Sequence, residues 1–233
     1  MGLRFRRAWR MARPPLDRTA RIVSVQLALA TAILVGIFAG APRAQHMDMG
    51  SAGGLPAKIG YCKDCHGPAA QGYGGFFPIP RLAGQQTEYL ENQLRAFIEH
   101  RRTNNVMFNV AHTLSPATIA ALAAHFRSLN PSPIGGAPKQ LVSLGRKIFE
   151  DGVPDANVAA CAACHGPDAS GSGQIPRLAG QLYPYVIKEL VNWGKERGQN
   201  PAKPDTSAIM SPVAHSLSKT QIDAVAAFVS YLK

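Results

Sequence analysis

Apolar residues recur at helical spacing in several long segments of the chain. In residues 115–129, Ile119, Leu122 and Phe126 fall on one face of a helix. The same spacing occurs in four further segments: 87–100, 141–152, a segment that begins at Tyr183, and 218–232. No segment alternates apolar and polar residues as a half-buried strand does. The pattern therefore predicts an all-α protein.

Polar residues mark where two of these helices begin. Ser115 is followed by Pro116, and Ser218 stands three residues before Gln221, which is the spacing of a capping box. The stretch GSAGGLPAKIG at 50–60 is short and rich in glycine, so the sequence predicts only a poorly formed helix there.

The chain contains two copies of one pattern. PRLAGQ at 80–85 recurs at 176–181, and NVAHTLS at 109–115 recurs as PVAHSLS at 212–218. Between the copies lies NPSPIGGAPK, which is rich in proline and glycine and is typical of a linker. We therefore expect one domain at 50–130, a linker at 131–138 and a second domain at 139–233.

The first 44 residues differ from the rest of the chain. Seven arginines precede residues 22–41, a largely apolar run without charge. A basic segment followed by an apolar one is typical of an export signal. Because the run is also long enough to span a bilayer, it predicts either a cleaved signal peptide or a retained membrane anchor. In both cases the remainder of the chain is exported.

This leader accounts for most of the net charge. The formal net charge is +11, and residues 1–44 hold eight arginines and one aspartate, so only +4 remains for the rest of the chain. Nucleic-acid binding requires a basic stripe on the folded part of a protein. The remaining charge is too small and too scattered for that, so we expect no nucleic-acid partner.

The four cysteines form two copies of one motif. CKDCHGP at 62–68 and CAACHGP at 161–167 each contain two cysteines followed directly by a histidine. A disulfide framework or a single zinc site gives no reason for that histidine, and no strand-rich pattern surrounds a thioredoxin-like pair. C-x-x-C-H is the attachment signature of c-type haem. The sequence therefore predicts two haems, held through Cys62, Cys65, Cys161 and Cys164, with His66 and His165 as axial ligands of the irons.

One methionine in each repeat is a candidate for the opposite axial position. Met107 and Met210 each lie five residues before a histidine, in polar stretches that look like loops. A thioether is a soft ligand that haem iron accepts. His112 and His215 are the alternative ligands. Their other expected role is a hydrogen bond to a backbone group, and we favour that role together with Met107 and Met210 as ligands.

Four residues of the repeated block are candidates for supporting roles. The carbonyls of Pro80 and Pro176 are candidate acceptors for the second ring nitrogen of the two histidines. Arg81 and Arg177 are expected either to pair with haem propionates or to lie solvated at the surface. Arg101 and Arg197 also match between the repeats, where cations suit the end of a helix.

These motifs together resemble the cytochrome c4 family, the dihaem class I cytochromes c. The resemblance covers residues 50–233 and rests on both C-x-x-C-H-G-P motifs, both P-R-L-A-G-Q blocks and the late M-x-x-V-A-H segments. It implies two cytochrome c folds related by a pseudo-twofold axis, with His66/Met107 and His165/Met210 as the axial ligand pairs.

The resemblance also implies a function. Proteins of this family lie in the bacterial periplasm and pass electrons from quinol-oxidising complexes or dehydrogenases to terminal oxidases or reductases. We therefore expect outer-sphere electron transfer between redox protein partners and no enzymatic activity. The alternatives are a haem subunit permanently docked to an oxidase or dehydrogenase, and a dihaem peroxidase-like enzyme with an open iron.

Overall fold

The computed structural model of the protein describes residues 54–203 and 206–233. The predicted all-α class is confirmed, because this part of the chain contains helices and isolated bridges but no strand. The helices of the first repeat are α1 (Leu55–His66), α2 (Thr87–Ile98), α3 (Asn105–Ala111) and α4 (Pro116–Arg127). Those of the second are α5 (Val142–Asp151), α6 (Ala162–His165), α7 (Tyr183–Val191), α8 (Trp193–Glu196), α9 (Ser207–Ser216) and α10 (Lys219–Tyr231).

The caps predicted from the sequence are present. Ser115 Oγ accepts a hydrogen bond from the backbone N–H of Thr118 at 3.2 Å. Ser218 and Gln221 form a complete capping box, in which each side chain bonds to the backbone of the other residue. Because these bonds satisfy donors that a helix end otherwise leaves without partners, they fix where α4 and α10 begin.

Each repeat has its own apolar core around its closing helix. In the first repeat, Leu90 from α2 packs with Leu122 and Phe126 from α4. In the second, Phe149 from α5 packs against Phe228 from α10, with ring centroids 5.3 Å apart. The closing helices therefore hold the remaining elements of each repeat in place.

The repeated PRLAGQ block is bound to the closing helix of its own repeat. The N–H of Gly84 donates to the carbonyl of Phe126 at 2.8 Å, and the N–H of Gly180 donates to the carbonyl of Val229 at 2.9 Å. Both glycines have positive φ, of 75° and 70°. Since other residues rarely adopt that conformation, glycine permits the close turn that brings the block to the helix.

The expectation of a poorly formed helix ahead of Cys62 is wrong. Helix α1 begins at Leu55, has Pro56 in its first turn and continues unbroken into the haem motif as far as His66. Its only buried residue is His66. The helix is therefore weakly amphipathic, and periodicity of apolar residues could not detect it.

The corresponding region of the second repeat is built differently. Helix α5 ends at Asp151, and a loop with one 3₁₀ turn at Pro154–Ala156 leads to the short helix α6. Helix α5 crosses α10 closely at Gly145, where an added Cβ would lie 2.0 Å from the carbonyl oxygen of Ala224. The second repeat thus has a tightly packed pair of terminal helices, α5 and α10. In the described part of the first repeat, α1 forms no such pair.

Both repeats lie within one compact unit, residues 51–233. An antiparallel bridge joins Arg102 of the first repeat to Arg197 of the second, and Thr103 N–H donates to the carbonyl of Glu196 at 2.8 Å. The two repeats therefore share an ordered, hydrogen-bonded interface.

No single helix within residues 54–203 and 206–233 has the length and apolarity to cross a membrane. Helices α3 and α4 meet those criteria only as a pair, and they are bent by 113° relative to each other. The predicted leader at 1–44 and its apolar run at 22–41 lie outside the described residues.

Candidate functional site

The first cysteine–histidine motif lies at the C-terminal end of α1, and the second contains the whole of the short helix α6. The last turns of α1 carry Cys62, Cys65 and His66, and in the second repeat the motif spans Cys161 to the end of α6. None of the four cysteines, which all lie in the described residues, forms a disulfide. One cysteine of each motif is half-buried and the other is exposed, while His66 and His165 are only 7% and 4% exposed. The helix therefore presents two thiols and one buried imidazole together.

One ring nitrogen of each histidine is engaged by a backbone carbonyl. Nδ1 of His66 lies 2.8 Å from the carbonyl oxygen of Pro80, and Nδ1 of His165 lies 2.9 Å from that of Pro176. A carbonyl can only accept, so Nδ1 carries the proton and Nε2 keeps its lone pair. Each histidine thus offers Nε2 to a metal.

The pKa values of these groups suit coordination by a neutral ring. Burial lowers the pKa of His66 and of His165, and the proline carbonyl opposes this only partly. Burial also raises the pKa of the Cys62 thiol, and it raises the pKa of Cys161 to about 11. Since metal ligation requires neutral imidazole, the buried setting keeps both histidines in the ligating form.

The two methionines lie in helices, so the expectation that they occupy loops is wrong. Met107 lies in the first turn of α3 and Met210 in the first half of α9, and both are half-buried. The polar residues that suggested a loop include Asn104, which caps α3 by accepting from the N–H of Met107 at 2.9 Å. The polarity of this stretch thus reflects a helix start.

His112 and His215 have the backbone hydrogen bonds expected for their non-ligating role. Nδ1 of His112 lies 3.0 Å from the carbonyl of Phe108, and Nδ1 of His215 lies 2.7 Å from that of Ser211. Both side chains are exposed. Each histidine therefore caps a backbone carbonyl of the helix that carries the methionine.

The repeated arginines are withdrawn from solvent, so a solvated surface role is wrong for Arg81, which is 4% exposed. Arg81 Nε donates to the carbonyl of Ala83 at 2.9 Å, and Arg177 Nε donates to that of Ala179 at 3.1 Å. Burial, together with the positive charge of Arg177, lowers the pKa of Arg81 to about 10. Burial also lowers the pKa of Arg177.

The guanidinium of Arg81 is only partly hydrogen-bonded. Its Nη1 is buried without a hydrogen-bond acceptor, and no carboxylate of the described residues forms an ion pair with it. A buried guanidinium without a counter-charge is costly. A carboxylate of a bound group, such as a haem propionate, would satisfy it.

The chain also leaves space beside the first motif. A cavity of about 390 Å³ opens between α1 and α3. Its walls are formed by Ala57, Lys58, Tyr61, Cys62, Asn109, Val110, Thr113 and Leu114. The paired thiols, the available Nε2 and the unpaired Arg81 Nη1 all fit a covalently bound haem.

Two glutamines missed by sequence reasoning join the repeats at this site. Gln181 Oε1 accepts from the backbone N–H of Arg81 at 2.9 Å, and its Nε2 donates to the carbonyl of Arg81 at 3.1 Å. Gln85 makes the same pair of bonds to Arg177, at 2.7 and 3.0 Å. This reciprocal arrangement is what a pseudo-twofold relation between the repeats requires. The sequence signal that could have identified these glutamines is their recurrence at the end of both PRLAGQ blocks.

A buried ionic cluster was also missed. Glu189 accepts from Arg102 and from Arg197, and all three side chains are nearly inaccessible. Gln93 Oε1 accepts from both arginines, each at 2.8 Å. Arg197 directly follows the end of α8, as the sequence predicted, but its guanidinium is buried in the interface between the repeats.

Comparisons with known proteins agree with this geometry. The cytochrome c family model matches residues 60–130 and 142–233, one segment in each repeat. A cytochrome c4 from Thiocapsa roseopersicina is 37% identical over 178 residues, covering 74% of this chain and 88% of that protein. A thiosulfate dehydrogenase electron acceptor from Thiomonas intermedia (strain K12) is 33% identical over 222 residues, covering 90% and 93%.

A solved structure shows the same fold. The crystal structure of reduced recombinant cytochrome c4 from Pseudomonas stutzeri superposes with a TM-score of 0.64 at 31% identity, over 78% of this chain and all of that one. The chain therefore belongs to the cytochrome c family, as a cytochrome c4-like protein that carries two c-type haems and transfers electrons.

Proposed function

We propose that Cys62 and Cys65 bind one haem and Cys161 and Cys164 the other, each through two thioether bonds, and that His66 and His165 bind the two irons. The observation that carries this proposal is the pair of hydrogen bonds from Nδ1 of His66 and His165 to proline carbonyls, because they leave Nε2 for iron in both repeats. Each haem, when bound, supplies an iron that alternates between ferric and ferrous states.

Met107 and Met210 would be the second protein ligands of the two irons. Each lies at an equivalent point of its repeat, five residues before a histidine whose own ring is engaged with the backbone. A thioether opposite an imidazole raises the reduction potential relative to two imidazoles. A methionine at each iron would also exclude water and small molecules, so the proposal includes no enzymatic activity.

Arg81 and Arg177 are proposed to face the haem propionates. The buried, unpaired Nη1 of Arg81 and the closeness of its guanidinium to Arg177 favour an anionic partner between the repeats. Pro80 and Pro176 hold the histidine rings in orientation through their carbonyls.

Single substitutions of the methionines test the ligand assignment. Met107→Leu and Met210→Leu should each remove the charge-transfer band of one methionine-bound ferric haem and lower the potential of that haem. His112→Ala and His215→Ala are the matched controls, because these rings lie in the same helical segments but bond to the backbone. Loss of the band in a histidine variant, with the methionine variants unchanged, would reverse the assignment.

For the wider role, we propose an exported carrier in the periplasm that moves electrons from a quinol-oxidising complex or a dehydrogenase to a terminal oxidase or reductase. The basic and apolar leader at 1–44 supports export, either as a cleaved signal or as an anchor through residues 22–41. We also propose domains at 50–130 and 139–233, because each range contains one copy of the repeated motifs.

A docked subunit is the second candidate, favoured by one observation. The Thiomonas intermedia relative is named as the electron acceptor of thiosulfate dehydrogenase, and it matches 90% of this chain. Purification from membranes in mild detergent separates the candidates, because a docked subunit remains with its complex whereas a carrier elutes alone. Rapid reduction of the free protein by a thiosulfate dehydrogenase and thiosulfate would identify a dehydrogenase of that kind as its donor.

A further inference from the structure

The peptide bond between Pro80 and Arg81 is hydrogen-bonded on both of its edges. Its carbonyl accepts from Nδ1 of His66 at 2.8 Å, within the first repeat. Its N–H donates to Oε1 of Gln181 at 2.9 Å, across the interface. A single peptide thus connects the histidine of one repeat to a glutamine of the other.

The second repeat contains the same connection in the opposite direction. The carbonyl of the Pro176–Arg177 peptide lies 2.9 Å from Nδ1 of His165, and the N–H of this peptide donates to Oε1 of Gln85 at 2.7 Å. Gln85 and Gln181 are both buried, at 5% and 7% exposure. The bonds are therefore shielded from water, which strengthens them.

Hydrogen bonds that share one peptide group polarise one another. When an acceptor draws on the N–H of a peptide, its carbonyl oxygen gains negative charge and becomes a better acceptor itself. A better acceptor at Nδ1–H makes the imidazole a more basic ligand. A more basic imidazole stabilises ferric over ferrous iron and so lowers the reduction potential.

We propose that Gln181 and Gln85 are positioning residues that act through these peptides to set the potential of the haem in the opposite repeat. The inference rests on the proposed ligation of iron by His66 and His165. It makes each haem's potential a property of both repeats, so the potential of a haem rises when the glutamine of the other repeat loses its acceptor oxygen.

The test is the isosteric substitution Gln181→Met, which keeps the length of the side chain and removes the acceptor. The midpoint potential of the haem at Cys62–His66 should rise, while that of the haem at Cys161–His165 stays unchanged. Gln85→Met should produce the converse pattern. The variant Met107→His assigns the two titration waves, because it lowers the potential of the first haem alone.

A conservative variant separates tuning from simple packing. Gln181→Glu keeps an oxygen for the N–H of Arg81, so the potential of the first haem should return to the wild-type value or fall below it. The NMR chemical shift of the Nδ1 proton of His66 in the oxidised protein should change in Gln181→Met. A residue that only packs the interface would leave that chemical shift unchanged.

Gln86→Met is the matched control. Gln86 also crosses the interface, where its Nε2 donates to the carbonyls of Ser170 and Gly171, but it does not contact either Pro–Arg peptide. Both potentials should be unchanged in this variant.

Three results would overturn the inference: no change in potential, a change confined to the haem of the substituted repeat, or an equal change in Gln86→Met. Failure of the ligand assignment itself is distinguished by substituting the histidines. If His66 is not an iron ligand, His66→Ala leaves the first haem attached with an unchanged spectrum, whereas the inference fails on the potentials of glutamine variants whose spectra match the wild type.

Discussion

Glu189 of the second repeat is bonded to Arg102 of the first, with both carboxylate oxygens 3.0 Å from Nη2 of the arginine. The two side chains are 8% and 11% exposed. Arg197 contributes a second guanidinium to the same carboxylate. One carboxylate thus balances two buried positive charges where the repeats meet.

Neutralising this carboxylate should destabilise the protein strongly. Glu189→Gln leaves Arg102 and Arg197 buried without a counter-charge, and breaking a buried pair from one side costs about 3–5 kcal/mol. The free energy of unfolding of the haem-loaded protein, from urea titration, measures the loss. Glu150→Gln is the control, because Glu150 pairs with Arg146 at the surface, where the expected cost is about 0–1 kcal/mol. Equal effects of the two substitutions would contradict this account.

The same carboxylate predicts a pH dependence. Arg102 and Arg197, with Lys188 nearby, lower the pKa of Glu189 to about 2 from an ordinary value of 4.5, despite its burial. A carboxyl whose folded pKa is lowered contributes stability above its unfolded pKa and loses it as the pH falls towards the folded pKa. The contribution is ~3 kcal/mol at neutral pH. The Tm should therefore fall more steeply between pH 4.5 and 2 in the wild type than in Glu189→Gln, and parallel curves would refute the assignment.

The close crossing of α5 and α10 can be tested by replacing the glycine at which they meet. Gly145→Ala forces a methyl group against the carbonyl of Ala224, so α5 and α10 must separate, at a cost of about 1–3 kcal/mol. Gly60→Ala in α1 is the control, because an added Cβ there meets nothing within 4 Å and alanine favours a helix by about 1 kcal/mol. Thermal unfolding should show opposite signs for the two variants. A neutral Gly145→Ala would mean that the crossing is looser than described.

The buried arginine of the first repeat should influence the potential of its haem. Arg81→Gln removes a positive charge that disfavours the ferric state, so the midpoint potential of that haem should fall. Arg146→Gln, at an exposed position, should leave both potentials unchanged. Spectropotentiometric titration of each variant gives the comparison. An upward shift in Arg81→Gln would exclude the proposed pairing with a propionate.

The sequence predicted the chemical motifs and the amphipathic helices well, because both depend on short-range patterns. The C-x-x-C-H motifs are contiguous, and helices such as α4 and α10 place Ile119 or Ile222 at regular spacing. Helix α1 was missed because a helix that buries only His66 has no apolar stripe.

The interface could not be predicted in the same way. Gln181 bonds to Arg81 from 100 residues away, and Glu189 bonds to Arg102 from 87 residues away. Nothing local distinguishes such residues from solvated ones, because their partners come together only when the two repeats fold against each other. Arg81 shows the consequence, since solvation and propionate pairing were equally consistent with the sequence.

The most direct measurement is the visible spectrum of the reduced protein with and without carbon monoxide, after intact mass has counted the covalent haems. The account predicts two haems and no spectral change with carbon monoxide, because Met107 and Met210 occupy the remaining axial positions. A carbon monoxide shift at either haem would contradict it, since the iron would then be open to small molecules and the protein would be suited to binding or catalysis.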